Sequence, residues 1–562
     1  MFRFRFIFFI SFTFPFCLKA QNTYLNSGSD EVHLLNRLET FSGKFSDRLF
    51  LDDPYVSRND AYDFLNSAKS DFLFSGRSNV DNYNINRALS INGEWANLGD
   101  DAKNSRNPFL NTFYKKQSDL LRWNKNGIFF SLNPVIGLET VMETQSNKLL
   151  FNTAAGLEFR GKVKDRLGFY FFMTHNYEEP VAYQQDFINR WNAIPGAGGF
   201  NKIGNGYQYL KVRGYADVAL IKDHISLSAG YDQHFIGDGI RSLFLSDFSE
   251  GALFASLNTK IWRLNYRNIY LRLVPQNFPG VPSTTGYKYA TIHHLSANIR
   301  PWLNIGLFES VTFSREGHYE IGYMNPIIFY RALERSMGSP DKVAIGMDAK
   351  AIILKRVNLY AQFLINEFTA KEFFGNNGYW ANKWALQLGG KYYNGFGVRN
   401  LDLQLEMNLI RPYTYTHSNR VEGETIANYS HFNQALAHPL GAGLAEWIGT
   451  IHYQPFPRLA VDIKGMYYKQ GIDTGNSNLG NDIFVGYDVP HPTFGVSLVN
   501  GPAGSCMMGS LNVSYELRPR FYFDIGGTFR KYTNVISDAY TQKDLFFNAG
   551  VRLNLNRKTR DF

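Results

Sequence analysis

Cysteine is nearly absent: the 562 residues hold two, Cys17 and Cys506. Cys17 falls in a removable leader, so the exported chain keeps one thiol, which excludes an internal disulfide and any Cys-based metal framework. Also missing after Gln21 is an uninterrupted apolar stretch near the roughly 20 residues that a membrane helix needs. Charge of one sign is scarce too. The chain has 58 Lys plus Arg against 49 Asp plus Glu. Without Arg3, Arg5 and Lys19 of the leader, 55 basic residues face 49 acidic ones, a balance of +6 spread along the chain that argues against a nucleic-acid binder. No GxSxG, HExxH, Walker loop or strand-linked GxGxxG occurs, so hydrolase, zinc-protease and nucleotide signatures are absent.

What is present starts with an export signal. Met1 to Arg5 is basic, Phe6 to Phe16 is a Phe/Ile run, and Leu18-Lys19-Ala20 offers a cleavage site before Gln21. Residues 1–20 are therefore expected to be a signal peptide. Lipid attachment at Cys17 is disfavoured because Phe14-Pro15-Phe16 lacks the small residues that such cleavage uses.

Beyond about residue 126 the sequence alternates with period 2, the period of a strand. Leu401, Leu403, Leu405, Met407 and Leu409 share one face, and Asp402, Gln404, Glu406 and Asn408 the other. The same pattern recurs over 357–366, 511–518 and 547–555. Very short, often basic links join such segments: 164–166, 222–224, 300–302, 355–356, 456–458 and 518–520, with 260–263 and 398–400 as two looser candidates. Long polar segments alternate with them, at 179–206, 275–284, 315–342, 412–440 and 471–507. Tight turns at one end and long loops at the other are the layout of an all-β transmembrane antiparallel β-barrel of an outer membrane. Eight tight hairpins plus an opening and a closing strand predict about eighteen strands. The slightly negative mean hydropathy of −0.27 suits a wet lumen, and 48 Phe with 34 Tyr suit aromatic girdles.

Residues 21–125 read as a small helical N-terminal periplasmic segment or plug, and 126–562 as the barrel. Ser29 before Asp30 and Glu31, with Leu34, Leu35 and Leu38 following, marks a helix start. Asn59-Asp60 opens a second helix to about Ser70, and the third is expected from Tyr114 to Trp123.

Four stretches carry a family resemblance: Phe130 to Pro134, Gly230 to Asp247 (GYDQHFIGDGIRSLFLSD), Met324 to Glu334 (MNPIIFYRALE) and His431 to Gly441 (HFNQALAHPLG). From about residue 100 onward the chain resembles the Wzi-type capsule-assembly outer-membrane proteins, and within them the RemB-type gliding-motility proteins of Bacteroidetes. The family's Trp-Gly-Pro-Gly turn is replaced here by Phe235-Ile236-Gly237-Asp238-Gly239. The resemblance implies a non-catalytic eighteen-strand barrel that holds surface polysaccharide or serves gliding and adhesion. Its expected partners are outer-membrane lipid, surface polysaccharide and gliding or secretion machinery, with no cofactor, metal or nucleic acid.

Sugar binding calls for aromatic faces, hydroxyl-bonding side chains and, for acidic glycans, bases. Loop 412–440 supplies Tyr413, Tyr415, Arg420, His431, Gln434 and His438 as glycan candidates on an external loop. Their alternative is to serve the aromatic girdle and the loop's own folding. Lumen or rim candidates are Asp232, Asp238, Arg241, Arg331 and Glu334. Asp402, Glu406, Glu516 and Asp524 against Lys464, Arg518, Arg530 and Arg552 are expected to brace the inner wall, a selectivity ladder being the alternative. A diffusion porin is the second functional reading, and a membrane-embedded hydrolase the third.

Overall fold

The period-2 segments form strands because polar side chains on one face have a wet interior to enter, while the apolar face meets lipid. The computed structural model describes residues 23–562 except 54, 71–76, 97–101, 107, 111, 165, 276–285, 316–317, 327–340, 419–426, 475–476 and 537–539. The expected leader, Arg331, Glu334 and Arg420 lie outside the described residues.

A short strand β1 (Leu121–Lys125) leads into β2 (Ile128–Glu143), β3 (Lys148–Val163) and β4 (Leu167–Glu178). After β5 (Phe200–Ile203) come β6 (Gly206–Ile221), β7 (Ile225–Asp232), β8 (Ala252–Ile261) and β9 (Leu264–Leu273). The far wall is β10 (Lys288–Arg300), β11 (Leu303–Ser314), β12 (Lys342–Ile353), β13 (Val357–Glu367), β14 (Lys383–Tyr392) and β15 (Leu401–Ile410). Two-residue strands β16 (Ser430–His431) and β17 (Gln434–Ala435) pair only with each other. The ring ends with β18 (Leu444–Phe456), β19 (Leu459–Gly471), β20 (Ala503–Arg518), β21 (Phe521–Asn534) and β22 (Tyr540–Leu553). Among the described residues, eighteen strands close antiparallel, β22 returning to β2 from Ile136↔Leu553 to Glu143↔Phe546. Each of the eight expected turns falls between neighbouring strands at one end, although the link expected at 398–400 is longer and spans 393–400.

Alternation sorts the faces as expected. Leu405 is 71% exposed on the outside, whereas Asp402, Glu406 and Asn408 are buried within. Trp262, Trp302, Phe396 and Phe456 stand exposed around the turn end, where an aromatic girdle belongs.

Three helices cover that end: α1 (Asp30–Ser42), α2 (Arg58–Ser70) and α3 (Asn79–Ile91). Ser29 caps α1 by accepting from Val32 N, and the helix stops at Gly43, which takes the left-handed conformation at φ 75°. Leu34, Leu35, Leu38, Leu65, Ile85 and Leu89 share the cap's apolar core. The expected helix at 114–123 is instead a series of turns running into β1, and α3 lies earlier in the chain.

The cap grips the barrel through turns around the whole ring. Lys162 Nζ donates to Glu94 O (2.9 Å), Phe45 N to Pro301 O (2.6 Å), Asn84 to Gln454 (2.8 Å) and Arg87 to Glu516 (3.0 Å). Arg37 ties α1 to Asp81 of α3 (2.9 Å), to Asp402 and to Asn394 (2.7 Å). The inward charges thus pair mostly with inserted elements rather than strand to strand. Asp524 with Arg552 (2.7 Å) is a wall pair of the expected kind, while Arg518 sits exposed beside its turn.

Space inside the ring is allotted residue by residue. A Cβ on Gly346 would stand 2.5 Å from the ring of Phe244, which stacks on Phe308 at 4.3 Å and 7°. Gly346→Val is therefore expected to destabilise the protein by about 2 kcal/mol by forcing Phe244 off Phe308. Urea unfolding in detergent, followed by tryptophan fluorescence, checks this; an unchanged midpoint would remove Gly346 from the account.

Candidate functional site

The lumen is occupied by two long loops that fold inward. Segment 233–250 leaves β7 and enters the barrel because the wall offers partners for its backbone. Gln362 accepts from Leu243 N (2.9 Å) and donates to Ile236 O (3.1 Å), and Glu406 accepts from Ile240 N (2.6 Å) and Arg241 N (3.0 Å). Of the lumen candidates, Asp232 pairs with Arg213, Asp238 lies 3.3 Å from Lys350 Nζ, and Arg241 reaches Glu446 and Asp561, both at 3.1 Å.

The second loop, 427–443, locks onto the first. Tyr429 OH donates to Phe244 O (2.7 Å) and Ser246 N to Leu436 O (2.7 Å). This corrects the expectation of an external sugar-facing loop: Tyr413, Tyr415, His431, Gln434 and His438 are all buried. Tyr413 OH donates to Asn478 O (2.8 Å) and Tyr415 OH to Leu243 O (2.9 Å). His431 Nδ1 accepts from Val274 N and Nε2 faces Gly251 O, both at 2.9 Å; burial pulls this imidazole down to about 4, so it is neutral. Gln434 bridges Gly196 N and Ala197 O, and His438 Nε2 lies 2.7 Å from Glu446. The reason is compositional: Ala435, Leu436 and Ala437 gain more by joining the core with Ile236 and Leu243 than by facing water.

A third inserted element is the segment after β22. Asn554 N bonds Arg520 O (3.0 Å) at the turn end. From there the chain climbs the lumen, with Arg557 on Asp462 (2.9 Å), Lys558 on Glu178, Arg560 on Glu139 (3.1 Å) and Asp561 on Lys464 (2.7 Å). Two adjoining cavities of about 740 and 450 Å³ remain, and residues 556–561 line both except Arg560, which lines the smaller. Phe562 reaches the loop end, 5.1 Å from Phe187.

There a further cleft of about 470 Å³ is lined by aromatic side chains with polar neighbours. Helix α4 (Ala182–Trp191), whose first turn is anchored by Glu143 accepting from Ala182 N (2.9 Å), contributes Tyr183, Asp186, Phe187, Arg190 and Trp191. Trp191 lies 4.9 Å from Phe484, and Arg190 stacks over Trp191 at 4.6 Å. Arg530 stacks over Tyr183 at 4.4 Å. Burial pushes the Asp482 carboxyl up to about 6, against the pull of Arg190 3.9 Å away. Of the glycan candidates named from sequence, Gln434 alone among the described ones lines this cleft. Sequence reasoning missed Phe187, Trp191, Phe484 and Arg530; the aromatic and charged spacing of AYQQDFINRW inside a long loop was the available signal.

A rigid aromatic wall beside carboxylate, amide and guanidinium groups suits a ligand with alternating apolar faces and hydroxyls. Among solved structures, the chain is similar to one described as Wzi, an outer-membrane protein involved in group 1 capsule assembly in Escherichia coli and a carbohydrate-binding β-barrel. The TM-score is 0.57 at 12% identity, with 96% of this chain and 100% of that one covered. This chain has the Wzi fold. The outer-membrane protein OprD from Pseudomonas aeruginosa gives a TM-score of 0.41 at 13% identity, over 75% of this chain and 93% of that one. No family model and no curated protein matches the chain.

Proposed function

We propose that this protein is a non-catalytic outer-membrane barrel that binds surface polysaccharide at its loop-end cleft and so supports attachment of that polysaccharide to the cell. The expected leader exports the chain, the apolar exterior seats it in lipid, and the helical cap faces the periplasm. The observation that carries the reading is the cleft itself, with Trp191 and Phe484 set 4.9 Å apart beside Arg190 and Asp482. Such rings offer flat apolar faces to sugar C–H groups, and the flanking charges bond hydroxyls. The carbohydrate binding stated for the Wzi structure supports the same class of ligand. Gliding and surface adhesion, as in RemB-type proteins, are the finer role that this cleft would serve, since adhesion also needs a glycan held at the surface.

Free diffusion of solutes is disfavoured, because cap, inserted loops and segment 554–562 occupy the ring. The experiment is direct. Protein purified in detergent is titrated with polysaccharide extracted from its own cells, and intrinsic fluorescence reads binding. Trp191→Ala together with Phe484→Ala is expected to weaken binding by about tenfold or more, since aromatic anchors dominate such sites. A folded wild-type barrel that binds no surface polysaccharide, in a cell whose deletion strain retains its glycan and spreads normally, would sink the proposal.

A further inference from the structure

Where the link between α1 and α2 meets the barrel wall, three metal-ligating side chains converge. Asp52 comes from that link, His294 from β10 and Asp348 from β12, and each offers a donor atom within 4.8 Å of the others. The side chains of Asp52, His294 and Asp348 are 0%, 0% and 4% exposed. Space is made by β11, where Gly306 opposes Asp348; a Cβ there would fall 2.2 Å from Asp348 Oδ2.

The hydrogen bonding is incomplete in the direction of a ligand. His294 Nε2 lies 2.8 Å from Asp348 Oδ2, which leaves Nδ1 free. Among the described residues, His294 Nδ1, Asp348 Oδ1 and both Asp52 carboxylate oxygens are buried with no hydrogen-bond partner. Charge is unbalanced as well. Lys350 stands 3.5 Å from Asp52 and 3.3 Å from Asp238, so one ammonium is shared between these two carboxylates, while Asp348 has His294. Carboxylates that share one cation in a low-dielectric interior favour a further positive charge beside them.

We propose that Asp52, His294 and Asp348 hold a divalent transition-metal ion of the zinc or manganese class, which fastens the helical cap to the barrel wall. One imidazole with carboxylate oxygens is a mixed nitrogen and oxygen donor set, suited to these ions more than to calcium or magnesium. The role is structural, because the ion would sit between cap and wall, away from the loop-end cleft.

The test uses full-length protein in detergent, stripped with chelator, reloaded with Mn2+ or Zn2+ and freed of excess ion by gel filtration. A single retained ion per folded chain is expected, with Asp52→Asn and His294→Gln each lowering affinity about tenfold or more. Heat-modifiable gel migration reports folding of every sample. Should a variant fail to fold, electron paramagnetic resonance of the Cu2+-loaded wild type reads nitrogen coupling without any substitution. Absence of a retained ion on folded wild type, retention of Ca2+ alone, retention unaffected in both variants, or a Cu2+ spectrum without nitrogen coupling would each overturn the proposal.

Discussion

Arg241→Ala is expected to cost about 3 kcal/mol of stability and to release segment 554–562 from the lumen. The guanidinium is buried and bonds Glu446, Asp561 and the Asp561 carbonyl at once, so one side chain joins the inserted loop 233–250, the wall strand β18 and the ascending segment. Its removal leaves Glu446, whose side chain is 0% exposed, with only His438 (2.7 Å) and Asn408 (3.0 Å). A buried carboxylate stripped of its cation loses several kcal/mol of compensation, and these hydrogen-bond partners return part of it. Asp561 keeps Lys464, which sets the estimate at the low end of what a broken buried pair costs. Urea unfolding in detergent gives the stability, and limited proteolysis followed by mass spectrometry reads exposure of 554–562. Adding Glu446→Gln to the Ala variant is expected to restore part of the loss, because it removes the orphaned charge. An Arg241→Ala midpoint within error of wild type would mean that the three elements are held by their apolar contacts alone.

How far such a residue could be foreseen differs sharply between wall and contents. The wall was legible because period-2 alternation and tight basic turns are local signals, and each expected turn, from 164–166 to 518–520, falls between paired strands. Helices α1 and α2 were legible for the same reason, through Ser29 and the Asn59-Asp60 start. Helix α3 was not, since NVDNYNINRALSI is rich in Asn and has only a thin apolar stripe; its Ser78 and Asp81 capping box was the unused signal. The expected helix at 114–123 failed because its aromatic and apolar residues serve β1 and the turns before it.

The loops were misread for a different reason. Sequence distinguishes a long loop from a tight turn, but whether the loop projects outward or folds into the ring depends on partners far along the chain. Gln362 and Glu406, more than 100 residues beyond loop 233–250, supply the acceptors that draw it in. Tyr415 is buried against Leu243 by the same long-range logic, which no local pattern encodes. The aromatic cleft likewise assembles from α4, Phe484, Arg530 and Phe562, four positions spread over nearly 400 residues.

The stability of cap docking is expected to fall as pH rises from about 5 to about 8, and Glu39 is the main cause. Glu39 lies in α1, 2% exposed, and its Oε1 accepts from Ser46 N at 2.7 Å. Burial raises its carboxyl from 4.5 to about 7, although Lys350 and the Ser46 amide act to lower it. The folded state therefore holds a proton that the unfolded state has already released between those two values. The contribution is fully present below about 4.5 and is lost as pH passes through about 7, a swing of roughly 3 kcal/mol from this one group. Burial pushes Glu250 up to about 7 and Asp482 up to about 6, so both contribute with the same sign at the loop end. Glu39→Gln isolates the cap's share, because the amide oxygen still accepts from Ser46 N and carries no charge. Unfolding of wild type and variant at pH 5, 6, 7 and 8, with chelator present, should give curves that diverge above pH 6, the wild type losing more. Parallel curves would show that Glu39 stays ionised in the folded cap, with Lys350 neutralising it across the whole range.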